Sequence, residues 1–372
     1  MSGRRQFMAR ALALAERARG RTSPNPMVGA VIVGGGAVVG EGYHARAGDA
    51  HAETVALAAA GEAARGADLY VTLEPCAHQG RTPPCVDAIV AAGIARVFAA
   101  MRDPNPLVDG RGLARLREAG VAVKVGLLGA EAARLNEVYC KHVTTGLPHV
   151  TLKIGMSLDG KTATRSGEAR WITGEESRRR VHELRNVTDA VLVGIGTVLA
   201  DDPDLTCRLP GTECRHPDRV VIDSHLRIPN KARVLAHRNK GRTILVAGPH
   251  APAARVRELG ELGAEVVTAD GGARRVEPEA VLRRLAGLGI TSVLVEGGSE
   301  VAASFLDAGV VDKVVFFIAP LLIGGREAPP VIGGRGAGPL AEALRLRDVR
   351  WSPAGEDIMV EGYVQEPACS PA

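Results

Sequence analysis

The sequence predicts an α/β protein built as two domains, and three observations predict it. At 372 residues the chain has room for two domains of about 150 residues, each with its own core. Short β-branched runs alternate with helical patterns through both halves, which in the first half is the order of an α/β/α layer. Between the halves, Thr144-Thr145-Gly146-Leu147-Pro148 is a short turn-forming stretch at the place where length alone puts a boundary. The expected domains are therefore 1–147 and 148–372.

In the first half, Arg5 to Arg19 has a helical pattern that stops at Gly20 and the rigid Ser23-Pro24-Asn25-Pro26 loop. Val28 to Val33 is apolar and β-branched, and Gly34-Gly35-Gly36 turns it into a second strand, Ala37 to Gly42, so a hairpin opens the sheet. A helix from about His51 to Ala60 puts His51 and Glu53 in its first turn, where unpaired backbone N–H groups favour a carboxylate. Strand Asp68 to Thr72 runs into Glu74-Pro75-Cys76, and a helix from about Val86 to Ala92 follows Cys85. Arg96 to Ala100 reads as a strand, Asp103-Pro104-Asn105-Pro106 as a second rigid loop, and Gly110-Arg111-Gly112 as the start of another helix.

The second half opens with strand His149 to Ile154. Thr173-Gly174-Glu175-Glu176 has the form of a capping box, with a helix running to about Val187. That helix carries Arg178-Arg179-Arg180, read as a solvated face, and Arg185, the one arginine singled out there for function. Ala190 to Gly194 is a buried-type strand that Gly194-Ile195-Gly196-Thr197 turns into a short helix; without a third glycine this is no dinucleotide fingerprint. Val293-Leu294-Val295-Glu296-Gly297-Gly298-Ser299 carries more. An apolar strand there meets two glycines and a helix start, so backbone N–H groups would face a phosphate; a tight strand-to-helix turn is the plain alternative.

Composition bounds the function. Hydrophobic content of 46% and charged content of 24% are those of an ordinary globular protein. A net charge of +4 with only 3% aromatic residues does not suit a dedicated nucleic-acid binder, but it suits a small anionic substrate. Arg10 and Glu16 interrupt any signal-peptide core, and no apolar run approaches the ~18 residues of a membrane span, so the cytoplasm is expected and no membrane partner is. Six cysteines make no disulfide scaffold, and Cys140, Cys207, Cys214 and Cys369 follow no readable pairing logic.

The densest chemistry lies between His51 and Cys85. His51 supplies an imidazole, Glu53 a carboxylate two residues on, and Cys76 and Cys85, each preceded by proline, supply two thiolates. Structural zinc sites close the metal with four protein ligands, whereas catalytic sites use three and leave a position to water. Bound zinc lowers the pKa of that water from about 15.7 to about 7. One His and two Cys fit the open kind; His44 or His78 as a fourth ligand would make the site structural. In zinc deaminases of nucleobases a His-x-Glu pairs with Pro-Cys-x-x-Cys, and the Glu, not a ligand, moves protons. Here eight residues rather than two separate the cysteines.

The run Thr72-Leu73-Glu74-Pro75-Cys76-Ala77-His78-Gln79-Gly80-Arg81-Thr82-Pro83-Pro84-Cys85, with Pro24-Asn25-Pro26-Met27-Val28-Gly29 upstream, resembles the bifunctional deaminase/reductase family of riboflavin biosynthesis, and the likeness covers nearly the whole chain. The resemblance implies a cytidine-deaminase-like α/β/α domain that removes ammonia from a phosphoribosylated diaminopyrimidinone. It implies a second, dihydrofolate-reductase-like α/β domain that reduces the ribosyl group to ribityl with NADPH. Zn2+ and NADPH are the cofactors so implied, with a small phosphoribosyl pyrimidine as the partner; a homo-oligomer is expected besides, of a size that the sequence does not give. Asn25, which the residues alone leave as a substrate amide or a rigid turn, becomes a substrate contact.

Carried over position by position, Gly155, Trp171, Thr197, Asp201, Ser224 and the run Gly298, Ser299, Glu300, Val301, Ala302, Ala303 and Ser304 would line the nicotinamide nucleotide. Arg185, Leu205, Arg208 and Glu296 would hold the substrate, with Lys153 and Asp201 nearest the hydride transfer. Ala169 stands where a serine would be expected to touch substrate, which weakens one contact. Two readings from other classes share parts of this pattern. A nucleic-acid base deaminase would need a basic groove and salt-dependent binding. A non-enzymatic nucleotide sensor with a structural zinc would oxidise no NADPH.

Overall fold

The computed structural model describes residues 3–77, 84–211, 213–236, 240–271 and 275–365, which leaves His78 and Cys369 outside the described residues. It divides into two compact units, the first ending at Gly146 and the second beginning at Leu147.

The first unit runs α1 (Gly3–Glu16), β1 (Gly29–Gly34), β2 (Ala37–Tyr43), α2 (Ala52–Ala60), β3 (Asp68–Val71), α3 (Cys85–Ala91), β4 (Arg96–Ala99), α4 (Arg111–Glu118), β5 (Ala122–Val125), α5 (Gly129–Leu135) and α6 (Glu137–Thr145). Its sheet has the order β2-β1-β3-β4-β5, antiparallel about β1 and parallel from β3 to β5. Side chains alternate across a strand, so β1 feeds both faces. Ala30 and Ile32 pack with Ala52 and Ala56 of α2, Val86 and Ile89 of α3 and Leu113 and Leu116 of α4. Val31 and Val33 pack with Met8, Ala11 and Leu14 of α1 and Ala132 of α5. Both sheet faces are thus covered by helices, which makes the unit three layers.

The second unit runs β6 (His149–Ser157), α7 (Glu175–Val187), β7 (Ala190–Gly194), α8 (Ile195–Asp201), β8 (Asp218–Ile222), α9 (Arg233–Ala236), β9 (Thr243–Ala247), α10 (Ala253–Glu261), β10 (Glu265–Thr268), α11 (Pro278–Gly287), β11 (Ser292–Val295), α12 (Ser299–Asp307), β12 (Lys313–Ala319), β13 (Arg347–Ala354) and β14 (Asp357–Tyr363). The sheet order is β10-β9-β8-β7-β11-β6-β12-β14-β13. Strands β10 to β12 are parallel, and β14 and β13 close the edge antiparallel. The central strands are apolar on both faces, as a sheet covered by helices requires. Among the described residues no helix is long and apolar enough to cross a membrane.

One local expectation is corrected. Thr173 does not cap α7: the N-cap is Gly174, with no capping bond from its own segment. Asp357 at the start of β14 takes the role, accepting the Gly174 N–H at 2.7 Å and the Ser177 hydroxyl. Glu176 faces outward to Arg179 and Arg180 instead. A carboxylate brought in by tertiary structure satisfies helix N–H groups more strongly than a local hydroxyl.

Candidate active sites

The first site gathers at two helix starts. His51 is the N-cap of α2, Cys85 is the first residue of α3, and Cys76 lies in the loop that leaves β3. The Cys85 N–H donates to Cys76 Sγ at 3.4 Å and the Val86 N–H to the Cys76 carbonyl at 3.2 Å, so the two cysteines are tied by backbone. His51 Nδ1 lies 3.1 Å from Cys85 Sγ and 3.6 Å from Cys76 Sγ, and all three donor atoms fall within 4.8 Å of one another. Tetrahedral zinc with Zn–S of about 2.3 Å and Zn–N of about 2.0 Å needs its donors about 3.5 Å apart. The donor set and its spacing therefore fit zinc.

Charge in the cluster is arranged to suit a cation. The Cys76 thiol is held down, first by its hydrogen bond with Cys85 and then, against burial, by His51. Cys85 is pushed up, chiefly by the same Cys76 sulfur. Glu53, in the first turn of α2, is only 4% exposed, and burial raises its carboxyl to about 7. Among the described residues no lysine or arginine pairs with it.

His44 does not complete the metal shell. Its Nδ1–H donates to the Ala50 carbonyl at 3.1 Å, which leaves Nε2 to accept from Asn25 Nδ2 at 3.1 Å. Its ring stands edge-on to His51 with centroids 5.5 Å apart. Asn25 is thus brought beside the cluster, with its amide oriented by His44. Three protein donors remain among the described residues; His78 lies outside them.

Glu74 was not singled out from the sequence. Buried, its carboxylate accepts four backbone N–H groups, from Asp103 (3.1 Å), Gly110 (3.0 Å), Gly112 (2.9 Å) and Leu113 (3.3 Å). It fastens the loop before α4 to the segment that carries Cys76. Contact is so close that a Cβ at Gly112 would lie 1.9 Å from the Pro75 carbonyl. The signal was the pair of glycines flanking Arg111, read only as a helix start.

In the second unit the structure groups Lys153, Arg185 and Glu296. Glu296 leaves the C-terminal end of β11 and takes a two-pronged bond from Arg185, Nε at 2.6 Å and Nη2 at 2.9 Å, with Lys153 Nζ at 3.8 Å. Burial alone would raise the Glu296 carboxyl, but Arg185 and then Lys153 hold it down at about 2. Lys153 is itself lowered by burial, against the pull of Glu296. Arg185 Nη1 also donates to the Thr206 carbonyl at 3.0 Å, which brings the Leu205–Arg208 segment alongside; Leu205 is buried there with a left-handed φ of 55°.

A neighbouring group forms where β7 and β11 end. The Gly298 N–H donates to Thr197 Oγ1 at 3.1 Å, joining the starts of α8 and α12. Gly297 packs tightly against β7, where an added Cβ would sit 3.0 Å from the Gly194 nitrogen. Of the run to Ser304, Ala302 and Ala303 are buried against the sheet, Glu300 pairs with Arg275, and the Ser304 hydroxyl bonds the Val301 carbonyl.

The remaining positions make their contacts elsewhere. Gly155 packs under Thr173, and the exposed Trp171 lies beneath the Arg178 guanidinium at 4.7 Å. The Asp201 carbonyl receives Arg170, the Ala169 carbonyl receives the Ile172 N–H, and the Ser224 carbonyl receives the Gly248 N–H. Cys140 is buried on α6, and Cys207 and Cys214 are reduced thiols.

Known proteins place these sites in a family. A model described as the cytidine and deoxycytidylate deaminase zinc-binding region matches residues 1–101, and one described as the RibD C-terminal domain matches 148–360. The chain is 46% identical to the riboflavin biosynthesis protein RibD of Bacillus amyloliquefaciens over 95% of this chain and 94% of that one. It belongs to the RibD family. The RibD of Escherichia coli (strain K12) is 44% identical over 95% of this chain and 97% of its own. Two solved RibD-family structures agree in fold over 97% of this chain and 98% of theirs. They are Acinetobacter baumannii RibD (37% identity, TM-score 0.88) and a Thermotoga maritima diaminohydroxyphosphoribosylaminopyrimidine deaminase/5-amino-6-(5-phosphoribosylamino)uracil reductase (38% identity, TM-score 0.85). As a RibD-family member the chain is a bifunctional deaminase/reductase of riboflavin biosynthesis, with a cytidine-deaminase-like zinc-binding unit followed by a dihydrofolate-reductase-like one.

Proposed function

We propose that the first unit deaminates 2,5-diamino-6-(5-phosphoribosylamino)pyrimidin-4-one and that the second reduces the ribosyl group of the product to ribityl with NADPH. The observation that carries the first half is the convergence of His51, Cys76 and Cys85 beside the buried Glu53. Zinc held by those three residues supplies Lewis acidity and a readily ionised water. Glu53, protected from solvent, takes the proton that the attacking water gives up and passes it to the ring amine, which leaves as ammonia. Asn25, its Nδ2 held by His44, offers Oδ1 to a donor on the pyrimidine edge.

In the second unit Arg185, Leu205, Arg208 and Glu296 bind the phosphoribosyl substrate. Gly155, Trp171, Thr197, Ser224 and the first turn of α12 bind the nucleotide, whose pyrophosphate suits the N–H groups at that helix start. NADPH supplies the hydride for C1 of the opened ribose. Lys153 and Asp201 stand at the transfer, and Lys153, lowered by burial, releases a proton more readily than an exposed lysine.

We infer that the chain works in the cytoplasm as a homo-oligomer, and one feature supports the oligomer. The second sheet ends on β13, and Trp351 on that strand is 75% exposed beside the exposed Val349 and Ile358. An exposed apolar strand edge suits a second copy. The activity is tested by measuring zinc content, ammonia release and NADPH oxidation for the wild type and Cys85→Ser. We expect the variant to lose metal and ammonia release yet oxidise NADPH normally on the deaminated substrate; full ammonia release without metal would refute the assignment.

A further inference from the structure

Helix α7 holds three consecutive residues of the substrate-side loop. Arg185 donates to the Thr206 carbonyl at 3.0 Å, the His182 carbonyl accepts the Cys207 thiol at 3.3 Å, and His182 Nδ1 accepts the Arg208 N–H at 3.2 Å. His182 lies three residues before Arg185, hence on the same helix face. The loop enters this clamp through Asp202 and Leu205, both at left-handed φ (42° and 55°), a conformation that non-glycine residues keep only when neighbours enforce it.

Beyond the clamp, the Arg208 guanidinium rests on Asp204 at 3.3 Å and Thr206 Oγ1 at 3.1 Å, while its side chain stays 57% exposed. Its backbone is fixed and its cationic end faces outward. A ring nitrogen that accepts a backbone N–H carries no proton, so His182 is neutral with its hydrogen on Nε2. Its surroundings keep it so: burial, then Arg185, Arg208 and Lys153, outweigh Glu296 and hold its pKa down at about 4.

We propose that His182 is a positioning residue of the reductase site: by accepting the Arg208 N–H it sets the direction from which the Arg208 guanidinium meets the substrate's phosphate. The inference rests on the reading above that Arg208 is a substrate contact.

The test is steady-state reduction of the deaminated phosphoribosyl substrate by the full-length enzyme, comparing His182→Ala, His182→Asn, His182→Gln, Arg208→Ala and the His182→Ala/Arg208→Ala pair. An asparagine amide oxygen reaches the place of Nδ1, whereas a glutamine amide reaches that of Nε2. His182→Ala should raise KM for the phosphoribosyl substrate about tenfold, the scale of one lost hydrogen bond, with kcat, KM for NADPH and ammonia release within about twofold of wild type. His182→Asn should restore most of that KM and His182→Gln should not. In the Arg208→Ala background, His182→Ala should add nothing, because it acts through that arginine. If Arg208→Ala raises KM while His182→Ala does not, or if the Asn and Gln variants behave alike, the positioning role is overturned and the Arg208 contact stands. If Arg208→Ala leaves KM unchanged, the substrate contact itself falls, and the inference with it.

Discussion

Glu53 is buried and Glu296 has a side chain only 7% exposed; both stand at the ends of regular elements, one in each unit, and their surroundings push them in opposite directions. Glu53 has thiols and an imidazole for neighbours and no arginine or lysine among the described residues, so burial raises its carboxyl to about 7. Glu296 is gripped by Arg185 with Lys153 alongside and is held near 2. In the proposed assignment the same side chain serves as a proton carrier at one site and as a fixed negative charge at the other. The first glutamate shares its pocket with three donors spaced for a cation, while the second already has its cations in the protein. On the proposed reading one site does chemistry with a borrowed charge, and the other aligns two molecules with charges of its own.

That contrast can be broken in order of expected effect. Glu53→Gln keeps the shape of the pocket but removes the proton carrier. Zinc content should be unchanged and ammonia release should fall by about 10²-fold to 10⁴-fold, with NADPH oxidation on the deaminated substrate intact. Near-normal ammonia release would mean that Glu53 carries no proton in the reaction.

Glu296→Gln removes the fixed charge and leaves Arg185 and Lys153 buried without it. The second unit should lose about 3–5 kcal/mol, read as an earlier unfolding transition, together with weaker substrate binding. The pH dependence has a definite sign. A carboxyl depressed to about 2 when folded, against about 4.3 unfolded, stabilises the fold above the unfolded value, and that contribution disappears as pH falls toward 2. The melting-temperature gap between wild type and Glu296→Gln should therefore be constant above about pH 5 and close progressively below about pH 4.3. A gap independent of pH would show that the substitution acts through packing instead.

The smallest effect belongs to Glu74→Gln. Its amide keeps one acceptor oxygen where the carboxylate accepts from four backbone N–H groups. Stability of the first unit should drop by about 1–3 kcal/mol, with ammonia release reduced far less than by Glu53→Gln.

How much of each site could be read in the sequence follows the same division. The metal cluster was legible because His51, Glu53, Cys76 and Cys85 are chemically dense residues within one short run, and the fold needed only two helix starts to bring them together. The two layered sheets were legible from β-branched runs between helical patterns. Glu74 was not, since its partners are backbone N–H groups of a distant loop that leave no side-chain signature. Nor was Asp357, which caps α7 from the far end of its unit and displaces the local capping box expected at Thr173. In the second unit Arg185 and Glu296 lie 111 positions apart and meet only because β11 and α7 converge on the same edge of the site. His182 escaped notice because its role is to hold a backbone amide.

The most direct test of the division is chelation. Stripping the metal from the folded enzyme and assaying both steps on one preparation should abolish ammonia release, leave NADPH oxidation on the deaminated substrate at its original rate, and restore ammonia release when zinc is returned. Parallel loss of both rates, or ammonia release that survives without metal, would contradict the account.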